Sequence, residues 1–178
     1  MADKDFIRAD DLVRDAFALA RAVYDSGFLP EVLLVLWRGG TPVGIVIHEF
    51  MLYKGVQTYH TVVKAESYVG IGTRVEPRIE GMAALLPRIA RDARVLVVDD
   101  IFDSGCTMKR VIELLAPRTT NVRIATLYVK TGANVTDLTP DYFHRETDRW
   151  IVFPHELEGL TDDEIKAKDS RIYDLITA

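Results

Sequence analysis

The chain has 178 residues, and 22 lysines and arginines against 27 acidic residues give a net charge of −5; at 48% hydrophobic and 28% charged it has ordinary globular composition. That supports one substantial core and one domain over residues 1–178, and a negative balance without a long basic block argues against a nucleic-acid partner. A single cysteine, Cys106, excludes an internal disulfide, the charged start MADKDFIRAD lacks a secretory apolar stretch, and the longest apolar run, Val32 to Trp37, is far below the roughly 20 residues that span a bilayer, so the expectation is a cytoplasmic protein with no membrane partner.

Along the chain, Asp10 stands as the cap of a helix whose apolar residues Leu12, Val13, Ala16, Phe17, Ala20, Val23 and Tyr24 recur at helical spacing, with Gly27 as its stop. Val32 to Leu36 is an uninterrupted apolar run of strand length, as a parallel strand covered on both faces requires. Trp37-Arg38-Gly39-Gly40 breaks it, and Thr41 and Pro42 suit the cap and first position of a helix through Ile45, Val46, Phe50 and Met51. Residues 58–63 are β-prone. Residues 64–80 are polar, with Gly70, Gly72 and Pro77, and read as a loop; loops beyond about 12 to 15 residues are commonly functional, so a lid is expected there. Arg94 to Val98 is a second buried strand ending in Asp99 and Asp100, followed by a helix from about Gly105 to Leu115. Val122 to Val129 is a third strand and Trp150 to Phe153 a short fourth. Thr161 and Glu164 have capping-box spacing for a final helix. Strands alternating with helices predict an α/β fold, a parallel-rich twisted sheet flanked by helices.

The chemistry concentrates in Val95 to Thr107, where a buried strand runs into Asp99, Asp100 and Asp103 and then Ser104-Gly105-Cys106-Thr107 opens a helix. In open α/β sheets ligands bind beyond the carboxyl ends of strands, and free amides at a helix start favour a phosphate. Three carboxylates beside a phosphate would repel it unless they meet sugar hydroxyls, a metal ion or a proton in transit. A polyhydroxylated phosphate ester with Mg²⁺ satisfies all of these. Competing motifs fail on spacing. No Gly-Lys-Ser/Thr forms a P-loop, Val75 stands where a dinucleotide fingerprint after Gly70 and Gly72 needs glycine, and Asp100 and Asp103 are too far apart for an aspartyl-phosphate phosphatase.

Val95 to Thr107 resembles the 5-phosphoribosyl 1-diphosphate (PRPP) signature of type I phosphoribosyltransferases. Further matches follow the order of the purine (hypoxanthine, guanine, xanthine) members. Trp37-Arg38-Gly39-Gly40 resembles the diphosphate-binding loop. Ser67-Tyr68 resembles the pair on the family's lid (about 64–80), and Lys130 the lysine that donates to the 6-oxygen of the base. Trp150-Ile151 with Pro154-His155-Glu156 resembles the C-terminal hood (about 131–160). Asp99 stands where many purine members have Glu, and the segment after Gly159 has no counterpart.

The resemblance implies a Mg²⁺-dependent enzyme, homodimeric or homotetrameric, whose partners are PRPP and a purine base. Asp103 would be the catalytic base. Arg38, Gly39, Asp99, Asp100, Asp103, Ser104, Gly105, Cys106 and Thr107 would bind PRPP, with Asp99, Asp100 and Glu156 toward the metal. Ser67 and Tyr68 would close the lid, and Lys130, Trp150 and Ile151 would hold the base. Two other readings keep the PRPP loop: a PRPP-sensing regulator with little turnover, which would need a basic face for RNA, and an orotate transferase. His48, His60 and His144 lack ligand spacing and read as structural or exposed.

Overall fold

The structure is a computed structural model that describes residues 4–66, 69–70, 73–74 and 77–178. In chain order the elements are β1 (Lys4–Phe6), α1 (Ala9–Asp25), β2 (Val32–Trp37), α2 (Gly40–Tyr53), β3 (Tyr59–Glu66), β4 (Val69–Gly70), β5 (Thr73–Arg74) and β6 (Arg78–Glu80). There follow α3 (Met82–Leu85) with a short 3₁₀ turn (Leu86–Arg88), β7 (Val95–Phe102), α4 (Cys106–Leu115), β8 (Val122–Lys130), β9 (Tyr142–Thr147), β10 (Trp150–Val152), α5 (Asp162–Lys168) and α6 (Ser170–Thr177). They form two compact units, residues 13–148 and residues 1–12 with 149–178.

The larger unit is built on a six-stranded sheet in the order β6-β3-β2-β7-β8-β9. All its pairings are parallel except that of β6, which runs antiparallel to β3. The expected α/β, parallel-rich architecture is therefore present. β2, the first five residues of which are buried, and β7, buried from Val95 to Val98, have the apolar bodies that coverage on both faces demands. Leu34, Leu36, Val95, Val97 and Ile124 pack with Met82, Leu85, Met108, Val111 and Leu115 from α3 and α4 in one core cluster. α1 buries Leu12, Ala16, Leu19, Ala20 and Val23, a single helical stripe.

Several boundaries differ from the sequence reading. Asp10 lies inside the first turn of α1, where its carboxylate faces the helix dipole. Thr41 lies inside α2, whose cap position is Gly39. Residues 64–80 are not a single loop: β3 continues to Glu66 and returns as β6, with Lys64, Ala65 and Glu66 opposite Glu80, Ile79 and Arg78, and the short β4–β5 hairpin lies between. β9 supplies an edge strand that sequence did not indicate. Trp150–Val152 pairs with β1 in a separate two-stranded ribbon, Lys4 opposite Trp150, instead of joining the main sheet.

The smaller unit consists of that ribbon with α5 and α6. The capping box is present: the Thr161 hydroxyl accepts from the Glu164 amide while the Glu164 carboxylate accepts from the Thr161 amide at 2.9 Å. Asp169 caps a second helix, α6. Residues 131–148 of the expected hood belong to the larger unit and 149–160 to the smaller. Among the described residues no helix is long and apolar enough to cross a membrane.

Candidate active site

Strand order locates the site. β2 and β7 are parallel neighbours, yet the chain leaves β2 through α2 for β3 on one side and leaves β7 through α4 for β8 on the other. Divergent connections open a crevice beyond the carboxyl ends of such a pair, the general ligand position of open α/β sheets. β2 ends there in Trp37, Arg38 and Gly39, across a cis Trp37–Arg38 peptide. β7 ends there in Asp99, Asp100, Ile101 and Phe102, followed by Asp103 and the turn into α4. The strand thus runs through the acid pair instead of stopping at Val98, because its backbone ladder to β8 continues: Asp99 opposite Thr126, Ile101 opposite Tyr128, Phe102 opposite Val129.

The two strand ends pack without room for a methyl group. A Cβ on Gly39 would overlap the Asp100 carboxylate, and one on Gly40 would stand 2.6 Å from the Val98 carbonyl oxygen and 2.9 Å from the Asp99 Cα. Glycine is dictated here by backbone approach. The contact orients the acids. Asp99 Oδ1 accepts the Asp100 amide at 3.0 Å, Asp100 Oδ1 accepts the Ile101 amide at 2.8 Å, and Asp100 is only 8% exposed. Burial, and then the charge of Asp100 beside it, push the Asp99 carboxyl well above the usual carboxylate range; amide donation from Asp100 and Gly40 offsets part of this. Two hydroxyls, Thr126 Oγ1 on the β8 residue opposite Asp99 and Thr41 Oγ1 in the first turn of α2, are buried without a hydrogen-bond partner among the described residues.

Asp103 is exposed at the mouth of the turn. Ser104 Oγ accepts the Cys106 amide at 3.4 Å, and Gly105, at φ +78°, sends the chain into α4 with no side chain capping the helix. That leaves the positive end of the α4 dipole directed at whatever occupies the crevice. Lys130 is the last residue of the neighbouring strand β8, opposite Thr147 of β9. The larger unit therefore brings Arg38, Gly39, Asp99, Asp100, Asp103, Ser104, Gly105, Cys106, Thr107 and Lys130 to one end of the sheet. Ser67 and Tyr68 lie outside the described residues.

Trp150, Ile151 and Glu156 belong to the smaller unit. Trp150 is 57% exposed, so it is no core aromatic, whereas Ile151 is buried at 6%. Glu156 accepts the Phe153 amide at 3.0 Å on Oε2, closing its own turn, and Lys168 donates to the carbonyls of Phe153 at 2.7 Å and Glu156 at 2.5 Å. Burial lowers the pKa of that lysine, with Glu156 opposing the shift. His48 and His60 lie ring against ring at 4.1 Å, His144 meets Asp15 at 3.1 Å, and His155 stacks on Phe153. Among the described residues no three His, Cys, Asp or Glu side chains converge as a metal cluster.

Sequence reasoning did not single out Thr126, Gly40 as the amide donor to Asp99, or the Asn134–Leu138 segment that packs on Gly105. For the last a signal existed, since Asn134-Val135-Thr136 is a typical Asx-turn string.

Comparison with known proteins identifies relatives in sequence and in fold. Two curated relatives, both hypoxanthine-guanine phosphoribosyltransferases, align over about half of the chain: that of Lactococcus lactis is 34% identical over 87 residues, 49% of this chain and 42% of its own length. That of Schistosoma mansoni is 34% identical over 91 residues, 51% of this chain and 31% of its own length. The chain thus spans well under two thirds of these relatives. Among solved structures, the purine phosphoribosyltransferase of Pyrococcus horikoshii superposes with a TM-score of 0.70 at 28% identity, covering 89% of this chain and 98% of that one. A Neisseria gonorrhoeae protein solved with bound ppGpp superposes at 0.74 with 21% identity, covering 96% and 98%, a likeness of fold. A family model, the phosphoribosyl transferase domain, matches residues 9–160, which take in both strand ends of the crevice, and the chain belongs to that family.

Proposed function

We propose that the protein transfers the 5-phosphoribosyl group of PRPP to N9 of a 6-oxopurine, giving the nucleoside 5′-monophosphate and diphosphate. The observation that carries this is the crevice itself: an acid pair at the end of β7 locked against the Arg38-Gly39 turn, next to an uncapped helix start at Gly105. The purine named in the relatives from Lactococcus lactis, Schistosoma mansoni and Pyrococcus horikoshii supports the choice of base. A homo-oligomer in the cytoplasm belongs to the same reading.

Charge development assigns the roles. As the bond from the ribose carbon to diphosphate breaks, positive charge grows on the ring and negative charge on the leaving oxygens. Arg38 and the amides of the Gly39 turn meet the diphosphate. Asp99 and Asp100 hold the ribose hydroxyls, and the amides and hydroxyls of Ser104 to Thr107 hold the 5′-phosphate. Asp103, free to reach into the crevice, takes the proton from N7 as N9 attacks, a general-base role. Lys130 donates to the 6-oxygen and exposed Trp150 stacks on the ring, with Ile151 beside it. Ser67 and Tyr68 belong to the segment that would exclude water.

The donor set fits a divalent cation. Asp99 and Asp100 are adjacent hard-oxygen donors whose burial, and then mutual repulsion, raise the Asp99 pKa, and one or two carboxylates plus substrate phosphates make the usual Mg²⁺ site. Asp99 and Asp100 would hold the ion with the diphosphate, and Glu156 would contribute toward a second. When bound, the ion neutralises charge on the departing diphosphate.

The test is formation of nucleotide and diphosphate from PRPP and Mg²⁺ with hypoxanthine, guanine, xanthine, adenine or orotate. Turnover with one or more 6-oxopurines is expected. Turnover with orotate alone, or PRPP binding without transfer to any base, would overturn the reading.

A further inference from the structure

The turn that opens α4 does not hold its shape alone. The Val135 amide donates to the Ser104 carbonyl at 3.0 Å. A Cβ on Gly105 would run into Thr136 Oγ1 and would stand 2.9 Å from Asn134 Oδ1, so the β8–β9 connection lies directly on the turn. One carboxamide knits that connection together. Asn134 Oδ1 accepts both the Thr136 amide and the Thr136 hydroxyl at 2.9 Å, and Asn134 Nδ2 donates to the Leu138 carbonyl at 2.8 Å. The Leu138 amide in turn donates to Thr136 Oγ1 at 3.3 Å, and the Leu138 side chain packs against the main core cluster. A continuous path of contacts therefore runs from the core through Leu138 and Asn134 to the Ser104–Gly105 turn.

From this we infer that Asn134 is a positioning residue of the phosphate-binding turn: its carboxamide shapes the loop whose Val135 amide and Thr136 hydroxyl hold Ser104 and Gly105 in place. The phosphate-binding role of the turn rests on the function proposed above, while the clamp does not. Without it, α4 keeps its body, since Met108, Val111 and Leu115 remain in the core. Only the first turn loosens. The amides that must point at an anion before it arrives then become ordered at the expense of binding.

Amide exchange on the ligand-free protein tests the clamp directly. In Asn134→Ala, peptides covering residues 103–108 are expected to exchange about tenfold faster, as loss of one such hydrogen-bonded support implies, while β7 and the body of α4 keep their protection. Asn134→Asp retains the acceptor for both Thr136 bonds and is expected to recover most of that protection. In turnover, Asn134→Ala should raise KM for PRPP about tenfold with kcat and KM for the base within about twofold. No change in exchange at 103–108, or a rise spread evenly over β7 and α4, would overturn the inference. Faster exchange at the turn in a protein that transfers no phosphoribosyl group would leave the clamp standing and sink the proposed function instead.

Discussion

The two compact units hold their candidate site residues by different means. In the larger unit the Arg38-Gly39 turn and the acid pair project from β2 and β7, whose bodies are buried and bonded on both sides by parallel neighbours. That scaffold tolerates a carboxylate pair of like charge and glycines with no space for a methyl, because neither strand end can move away. In the smaller unit Trp150 and Ile151 sit on a ribbon of two three-residue strands, assisted by the Lys4–Glu164 ion pair at 2.6 Å, the Thr161 capping box and Lys168 on two carbonyls. Two-stranded ribbons are marginal in isolation, and an ion pair that is only partly buried adds little. The contrast teaches that the strand ends proposed to hold the ribose phosphate are preorganised by the core, whereas the ribbon proposed to stack on the base is held by a few local bonds and is the region expected to open first.

The sharpest test of the rigid end is its chemistry. Asp103→Asn keeps size and hydrogen bonding but cannot take a proton, so turnover should fall about a hundredfold to ten-thousandfold with PRPP affinity far less affected. Unchanged kcat where chemistry limits the rate would remove Asp103 from the base role. Next in size, Gly40→Ala forces a methyl against the Val98 carbonyl and should destabilise the fold by about 1–3 kcal/mol in denaturant titrations while weakening PRPP binding. A variant of full stability and affinity would show that the strand ends are not locked together.

Base selection tests the proposed roles of Lys130 and Trp150. In the proposed function a 6-oxygen would accept from Lys130 and the 6-amino group of adenine could not, so 6-oxopurines should be preferred at least about tenfold, or about 1.4 kcal/mol. Lys130→Ala should narrow that gap, and Trp150→Ala should weaken all purines together. Adenine as the best substrate would refute the lysine assignment.

Two smaller effects follow from titration. Because the pKa of Asp99 is raised in the folded state, the fold binds a proton that the unfolded chain has released, and stability falls as pH rises between the two values. Asp99→Asn should therefore melt above the parent protein at neutral pH without ligand, with the advantage vanishing in acid; a lower melting point at neutral pH would contradict the strain assigned to the acid pair. Glu164 runs the opposite way. Its pKa is lowered by the Lys4 hydrogen bond and the Thr161 amide, so its contribution is present above the ordinary value and lost as pH falls through the lowered one. Acidification should speed amide exchange over residues 162–168 before it affects β7, and Glu164→Gln should abolish that step; simultaneous exchange in both regions would erase the contrast between the units.

Much of the rigid end was legible in sequence, because its signals are local. Val32 to Leu36 and Val95 to Val98 are apolar runs that only doubly covered strands need, and the spacing of Asp99, Asp100, Asp103, Ser104, Gly105 and Thr107 places acids and turn within one strand-to-helix junction. The Thr161 and Glu164 box was legible for the same reason, both partners lying within one helical turn. Tertiary structure decided the rest. β1, β6 and β9 carry little apolar pattern and exist because distant strands pair with them, and Arg78–Glu80 became a strand by pairing back onto β3. β7 ran on through its acids because backbone bonds to β8 are indifferent to side-chain polarity. The close approach of Gly39 to Asp100, the unpartnered hydroxyl of Thr126 opposite Asp99 and the seat of Asn134 on Gly105 each join residues from different connections of the sheet. A linear pattern records which side chains a segment needs to bury or cap; which remote backbone fills the space beside them is set only when the register of the sheet is formed.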